Sequence, residues 1–203
     1  MAAKPSQPPL QFVRFLCDLV SLWFLEISAG VPPPPCKTMA LSTAEICSIF
    51  GAFSFREVGA GLVAPERAWL ARNIVAVRSP FPLPMNKGQT EKIRCHRLVA
   101  EQILSALREL DDKGLRRLIH TFDGCYLPRH VCWNPERPLS RHSWGIALDL
   151  NAAKFPFGSA RRQEARLVEV FARHGFLCGQ KGGGLWEKTL DPMHFEVVKI
   201  VQR

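Results

Sequence analysis

The stretch Ser140–Asn151 reads SRHSWGIALDLN, and a later one, Asp191–Val197, reads DPMHFEV. Side chains alternate across a strand. In GIALDL the pattern therefore puts Ile146, Leu148 and Leu150 on one face and Gly145, Ala147 and Asp149 on the other. The apolar face reads as core, and the opposite face carries an acid behind two very small residues, Gly145 and Ala147, which leave room for a metal in front of the carboxylate. In MHFEVV the same rule sends Met193, Phe195 and Val197 inward and sets His194, Glu196 and Val198 on the other side. His142 lies on the loop that enters the first strand. If the two strands are neighbours, His142, Asp149 and His194 converge.

Two imidazoles and one carboxylate suit Zn²⁺. Three protein ligands leave a fourth position open, the catalytic rather than the structural arrangement. Asp191, three residues before His194 and held by Pro192, is the expected base. A histidine beside a strand is more often a structural residue, so neither half is specific alone; the pair is. The other histidines lack such a setting. His96 and His120 sit in apolar patterns, His174 precedes a helix-ending glycine, and His130 lies on a loop near the site, as a bystander or a supporting group.

Working outward, NIVAVR at 73–78 alternates and is β-branched, so it reads as a strand, ended by SPFPLP as an extended loop. From Thr90 the spacing of Cys95, Val99, Ile103, Leu107 and Leu110 is that of one helical stripe, closed by Asp111, Asp112 and Gly114. LRRLIHTF reads as a strand, PFGSARRQEARLVEVFARHG as a helix, GQKGGG as a flexible loop and MHFEVVKIV as the last strand. Helices come first and strands later, which predicts a single α+β domain with a mainly antiparallel sheet flanked by helices and the metal site on the sheet.

The chain has 203 residues, 47% hydrophobic and 22% charged, which are globular values. Its formal charge of +9 fits a soluble basic surface and attraction to a polyanion equally well. No zinc-finger or RNA-binding signature accompanies it, so nucleic acid is not an expected partner. The seven cysteines are odd in number and form no CxxC pair. That excludes a disulfide framework and a cysteine zinc knuckle, and leaves a Cys125–Cys132 bridge as a minor alternative.

The first forty residues differ. The apolar run at 10–30 is broken by Arg14, Asp18 and Glu26. Its longest uncharged piece, Leu19 to Leu25, is too short to span a bilayer or to serve cleanly as a signal segment. No stable membrane insertion is expected. VPPPPC follows as a stiff spacer. Then Ser42 and Glu45 stand in capping-box relation ahead of a short helix that Gly51 would end. Residues 1–38 are therefore expected to be an appendage or a misannotated start, and residues 39–203 the domain.

SRHSWGIALD fits the SxHxxGxAxD signature of the M15-type zinc peptidases, the D-alanyl-D-alanine carboxypeptidase family, which includes phage L-alanyl-D-glutamate endolysins. DPMHFE resembles their second signature. The run from Ile74 to Val197, with CHRLVAEQIL and FDGCYLPR, is similar to the phage and prophage branch. The resemblance implies Zn²⁺ held by His142, Asp149 and His194, Asp191 as the general base, Ser140 beside the substrate and Trp186 as an aromatic wall. It also implies an arginine that holds substrate or the developing oxyanion, Arg129 or its competitor Arg137. Where some members carry a glutamine this chain has Asn134.

The implied activity is hydrolysis in the peptidoglycan stem peptide, as an endolysin-like L-alanyl-D-glutamate endopeptidase or, alternatively, a D-alanyl-D-alanine carboxypeptidase. The expected form is a monomer made in the cytoplasm without a clear signal peptide and acting at the cell wall. The hedgehog signalling domain resembles the first signature and shares the implied fold. A non-catalytic, zinc-stabilised binding module is therefore the alternative from another class, and Asp191 is what a binder would not need.

Overall fold

The structure, a computed structural model, describes residues 40–186 and 189–201. The expected appendage at 1–38 lies outside the described residues. The described ones fall within one compact unit, Lys37–Arg203. Helix α1 is Thr43–Phe50. The Ser42 hydroxyl accepts from the Glu45 amide at 3.2 Å and the Glu45 carboxylate accepts from the Ser42 amide at 2.7 Å, so two of the helix's orphan donors are satisfied reciprocally. Gly51, at φ +84°, ends it.

Two antiparallel hairpins follow: β1 (Phe55–Gly59) with β2 (Leu62–Pro65), then, after α2 (Arg67–Asn73), β3 (Ile74–Pro84) with β4 (Gln89–His96). The strand expected at 73–78 is borne out within β3. Three other expectations are corrected. Strands dominate the part before the long helix as well as the part after it. SPFPLP continues β3 rather than ending it, and residues 90–96 are strand. Ser79, Phe81 and Leu83 are buried while Pro80 and Pro82 face out. Pairing lapses between Arg78 and Leu83, so the prolines sit where no ladder donor is needed. The helical stripe read from Cys95 holds only from Ala100: α3 is Ala100–Asp112.

LRRLIHTF is a 3₁₀ turn at Arg116–Leu118, and its strand character begins only at β5, Phe122–Gly124. Helix α4 is Ala165–Arg173, shorter than expected. Before it, Gln163 is drawn into tertiary bonds instead of a helix. The Gln163 amide donates to the Gln180 side chain at 2.8 Å, and Gln163 Nε2 donates to the carbonyls of Leu150 (2.8 Å) and Pro192 (3.1 Å). Completing the fold are β6 (Ala147–Leu150), β7 (Phe176–Gly179) and β8 (Asp191–Val197), which with β5 form a four-stranded antiparallel sheet in the order β5-β6-β8-β7. The architecture is α+β, with three antiparallel sheets rather than one.

The core forms where α3 and α4 meet each other and the strands. Ile103, Leu107 and Leu110 from α3, Leu167, Val170 and Phe171 from α4, and Ile146, Leu148, Leu150, Phe195 and Val197 from the sheet are all buried. Phe171 and Phe195 pack with ring centroids 4.9 Å apart. The faces assigned to the core from alternation are buried here, except that Met193 is only half-buried; the opposite faces are covered too, with Ala147, His194 and Glu196 buried. Cys47, Cys95, Cys125, Cys132 and Cys178 are unbridged. No helix among the described residues is long and apolar enough to cross a membrane.

Gly145 leads into β6 for a reason other than space in front of a metal. Its φ is +68°, and a Cβ there would lie 2.9 Å from the His96 amide nitrogen and 3.1 Å from the Cys95 Cα. The close approach is to β4, sealed by the His96 amide donating to the Gly145 carbonyl at 2.9 Å. Gly145→Ala is expected to cost about 2–4 kcal/mol, from left-handed strain and overpacking together. Urea denaturation measures this. Loss of zinc at unchanged stability would instead mean that the residue guards the metal.

His96 is fully buried. Its Nε2–H donates to the Phe50 carbonyl (3.1 Å), and its Nδ1 accepts from the Leu98 amide (3.2 Å). The ring is thus satisfied neutral. Burial pulls it down to about 4, against the raising effect of the Phe50 carbonyl. The folded pKa lies below the unfolded one, near 6.5, so acid favours the unfolded chain. Stability contributed by the neutral ring is complete above about pH 6.5 and is lost toward pH 4, up to about 3 kcal/mol. Urea denaturation between pH 4.5 and 7.5 should show a steeper pH dependence for the wild type than for His96→Gln.

Candidate metal centre

Asp149 and His194 are directly paired across β6 and β8. Cross-strand partners present side chains on the same face a few ångströms apart, and so the two strands bring an acid and an imidazole together. The third group, His142, comes from a 3₁₀ turn at Arg141–Ser143, capped by the Ser140 hydroxyl, which accepts from the His142 amide. Behind that turn Trp144 packs on Phe53 at 5.0 Å and donates from its indole to the Gly51 carbonyl at 3.0 Å. The turn is therefore braced against α1 and the segment following it.

His142 Nε2 and His194 Nδ1 stand 3.2 Å apart. Asp149 places one oxygen 3.2 Å from each of them. One ligand atom from each residue lies within 4.8 Å of the others. Burial works to raise the Asp149 carboxyl, yet His142 and His194 hold it well below the ordinary carboxylate range. It is ionised, and one nitrogen of each imidazole converges beside it. That donor set, two nitrogens and one oxygen with the remaining side open to a cleft, fits Zn²⁺. These three residues are positioned to coordinate it.

The outward nitrogens of both rings are occupied. His142 Nδ1–H donates to the Cys125 carbonyl at 2.7 Å, which leaves Nε2 for the metal. His194 Nε2 faces the Glu196 carboxylate at 3.3 Å, which leaves Nδ1. Such partners fix the tautomer of a metal-bound imidazole. Cys125 itself is no ligand: burial pushes its thiol well above the usual range.

The centre lies in a cleft of about 770 Å³. Trp186 stacks on His194, with centroids 5.3 Å apart and planes at 23°. It reaches that position because Gly179 lacks a side chain; a Cβ there would meet the Trp186 ring at 2.8 Å. Asp191 opens β8 and lines the same cleft. Burial pushes its carboxyl up to about 6, against the opposing pull of His194. Its Oδ1 is buried and has no hydrogen-bond partner among the described residues. Ser140, Arg129 and Arg137 also line the cleft. Arg129 rests over Trp133 at 5.0 Å and donates to the His130 carbonyl at 3.2 Å, while its Nε is buried without a partner among the described residues.

Arg129, Arg137, Ser140, His142, Trp186, Asp191 and His194 thus line one cleft, and Asp149 joins them through its contacts to both imidazoles. His130 does not enter it. Its Nε2 meets Glu57 on β1 at 2.8 Å and its Nδ1 meets the Arg137 carbonyl at 2.5 Å, tying the first hairpin to the loop that bears both arginines. That loop is strained, with Cys132 and Trp133 at φ +54° and +60°. Three supports escaped the sequence reading: the Cys125 carbonyl, Glu196 and Arg141. Alternation put Glu196 on the face of His194, and that was the available signal; nothing local marks a backbone carbonyl or a distant arginine.

Residues 133–197 match the family described as D-alanyl-D-alanine carboxypeptidase. The match spans His142, Asp149, Asp191 and His194, and stops short of Arg129. No curated protein and no solved structure matches the chain.

Proposed function

We propose that this chain, whose residues 133–197 form an M15-type zinc peptidase domain, hydrolyses a peptide bond in the peptidoglycan stem peptide as a D-alanyl-D-alanine carboxypeptidase. The observation that carries a hydrolytic reading is Asp191: a half-buried carboxyl with a raised pKa and an oxygen unpartnered among the described residues, in the same cleft as His142 and His194. A binding module has no use for such a group. Zinc held by His142, Asp149 and His194 would supply Lewis acidity toward the scissile carbonyl and toward water.

The chain's own residues do the rest. Asp191 takes the proton from the attacking water and passes it to the leaving amine nitrogen, which restores the carboxylate. A guanidinium facing the carbonyl oxygen as it gains charge contributes about 3–4 kcal/mol. Trp186 shields one face of His194 from water. Ser140 lies next to the turn that bears His142, where it meets the substrate.

The family description favours the carboxypeptidase, and the cleft adds a reason. An exopeptidase must hold the free carboxylate of its substrate as well as the developing oxyanion. Three arginines line the cleft; Arg141 is taken up by Glu196, which leaves Arg129 and Arg137 for the two tasks. The second reading is an L-alanyl-D-glutamate endopeptidase of the endolysin kind, supported by the likeness of the 74–197 run to that branch. In both, the site of action is the cell wall.

Product analysis separates them. Zinc-loaded protein incubated with purified peptidoglycan is expected to release free D-alanine. New L-alanine carboxyl termini with D-glutamate amino termini would establish the endopeptidase instead. Neither product, with zinc bound, would leave the binding module.

A further inference from the structure

Glu196 has no exposed surface. A carboxylate is costly to bury unless it is paired and hydrogen-bonded, so its position calls for a reason. It has two polar contacts. One oxygen lies 3.3 Å from Nε2 of the metal ligand His194, and the other accepts from Arg141 Nε at 3.2 Å. Arg141 is itself tied down, donating through Nη2 to the Leu41 carbonyl at 2.8 Å.

The placement of the two residues is as informative as the bonds. Arg141 immediately precedes the ligand His142 on the 3₁₀ turn. Glu196 follows the ligand His194 by two residues on β8, so both side chains leave the same face of the strand. The ion pair therefore joins the two elements that carry the histidine ligands, and its carboxylate also orients one of the rings.

We infer that Glu196 and Arg141 form a buried clamp that positions His194 for the metal. Glu196 accepts the His194 Nε2–H, which commits Nδ1 to zinc. Arg141 fixes the carboxylate and anchors the turn bearing His142. Both side chains lie at the cleft wall, and each is taken up by the other and by the elements bearing the ligands, so both act through the ligands. The inference rests on the metal reading of His142, Asp149 and His194, and adds what sets the strength and geometry of that centre.

Glu196→Gln tests it with little change of volume. An amide cannot serve both neighbours: when its oxygen accepts from His194, its NH₂ faces the Arg141 guanidinium, donor against donor. Zinc affinity measured by competition with a chelator is expected to fall about 10–100-fold. The visible spectrum of the Co²⁺-substituted protein should shift as the ligand ring turns. Arg141→Lys keeps the charge but surrenders part of the bonding, and weakens zinc by a smaller factor. Gln102→Ala is the structural control. It removes bonds to the His174 and Lys199 carbonyls and should lower the melting temperature without moving the zinc affinity. Wild-type zinc affinity and an unchanged Co²⁺ spectrum in folded Glu196→Gln and Arg141→Lys proteins would overturn the clamp. A wild-type protein that binds no zinc would overturn the metal reading beneath it.

Discussion

Asp191→Ala is expected to lower kcat by about 10²–10⁴-fold, the contribution of a positioned proton-transfer group, while zinc remains bound. Among the described residues its Oδ1 is buried without a hydrogen-bond partner, so the carboxyl holds none of the three ligands in place through that atom. Removing the carboxyl therefore leaves the metal centre standing and takes away the group that moves the proton. The direction of its pKa shift gives a second readout. Burial pushes the carboxyl up to about 6, and it works as a base only when ionised. In the wild type, kcat/KM should fall as pH drops through the ionisation of Asp191. In the variant the residual activity should lack that acid limb. Stopped assays on purified peptidoglycan across pH, with zinc measured in the same samples, check both points. Full activity in the zinc-bound variant would remove Asp191 from the mechanism.

His142→Ala has an effect of the other kind. It takes the metal away. His142 is buried, and its ring is held by the Cys125 carbonyl, so its Nε2 is aimed in advance at the site. Without it, only Asp149 and His194 remain, 3.2 Å apart, and two ligands hold zinc far less firmly than three. Zinc should be lost on dialysis, and with it several kcal/mol of transition-state stabilisation, about a thousand-fold or more in rate. Stability gives an independent measure. Ligand that binds only the folded state raises its stability by about 4 kcal/mol at a thousand-fold excess over Kd, roughly 10 °C in melting temperature for a domain of this size. Zinc should produce that rise in the wild type, and a chelator should reverse it. The variant should melt at the same temperature with or without zinc.

What the sequence revealed about this molecule follows from range. Period-two alternation is local, and it correctly placed Leu148, Leu150, Phe195 and Val197 in the core, but it gave no sign that Ala147, His194 and Glu196 on the other face are buried too. A capping box is local too, and Ser42 with Glu45 formed the expected one. The ligands were legible because each half carried its own pattern, and because strand pairing then needed only one register, Asp149 opposite His194. The errors arose where tertiary contacts overrode a local pattern. The Cys95 to Leu110 spacing fits a helix, yet its first part pairs with β3. The run before α4 looks helical, yet Gln163 is drawn out of it by Leu150, Pro192 and Gln180. Gly145 was read as room for a metal, whereas it meets the backbone of β4, a strand the sequence reading had placed in a helix. Glu196 was seen on the correct face, but its partner Arg141 lies 55 residues away in the chain.

The most direct test of the account is a zinc-edge anomalous difference map from crystals of the zinc-loaded protein. It is expected to show one ion bound by His142 Nε2, His194 Nδ1 and an Asp149 oxygen at about 2.0–2.2 Å, with Asp191 beside the open side of the ion and Glu196 on the far nitrogen of His194. An ion bound elsewhere, or one that takes His194 through Nε2, would contradict it.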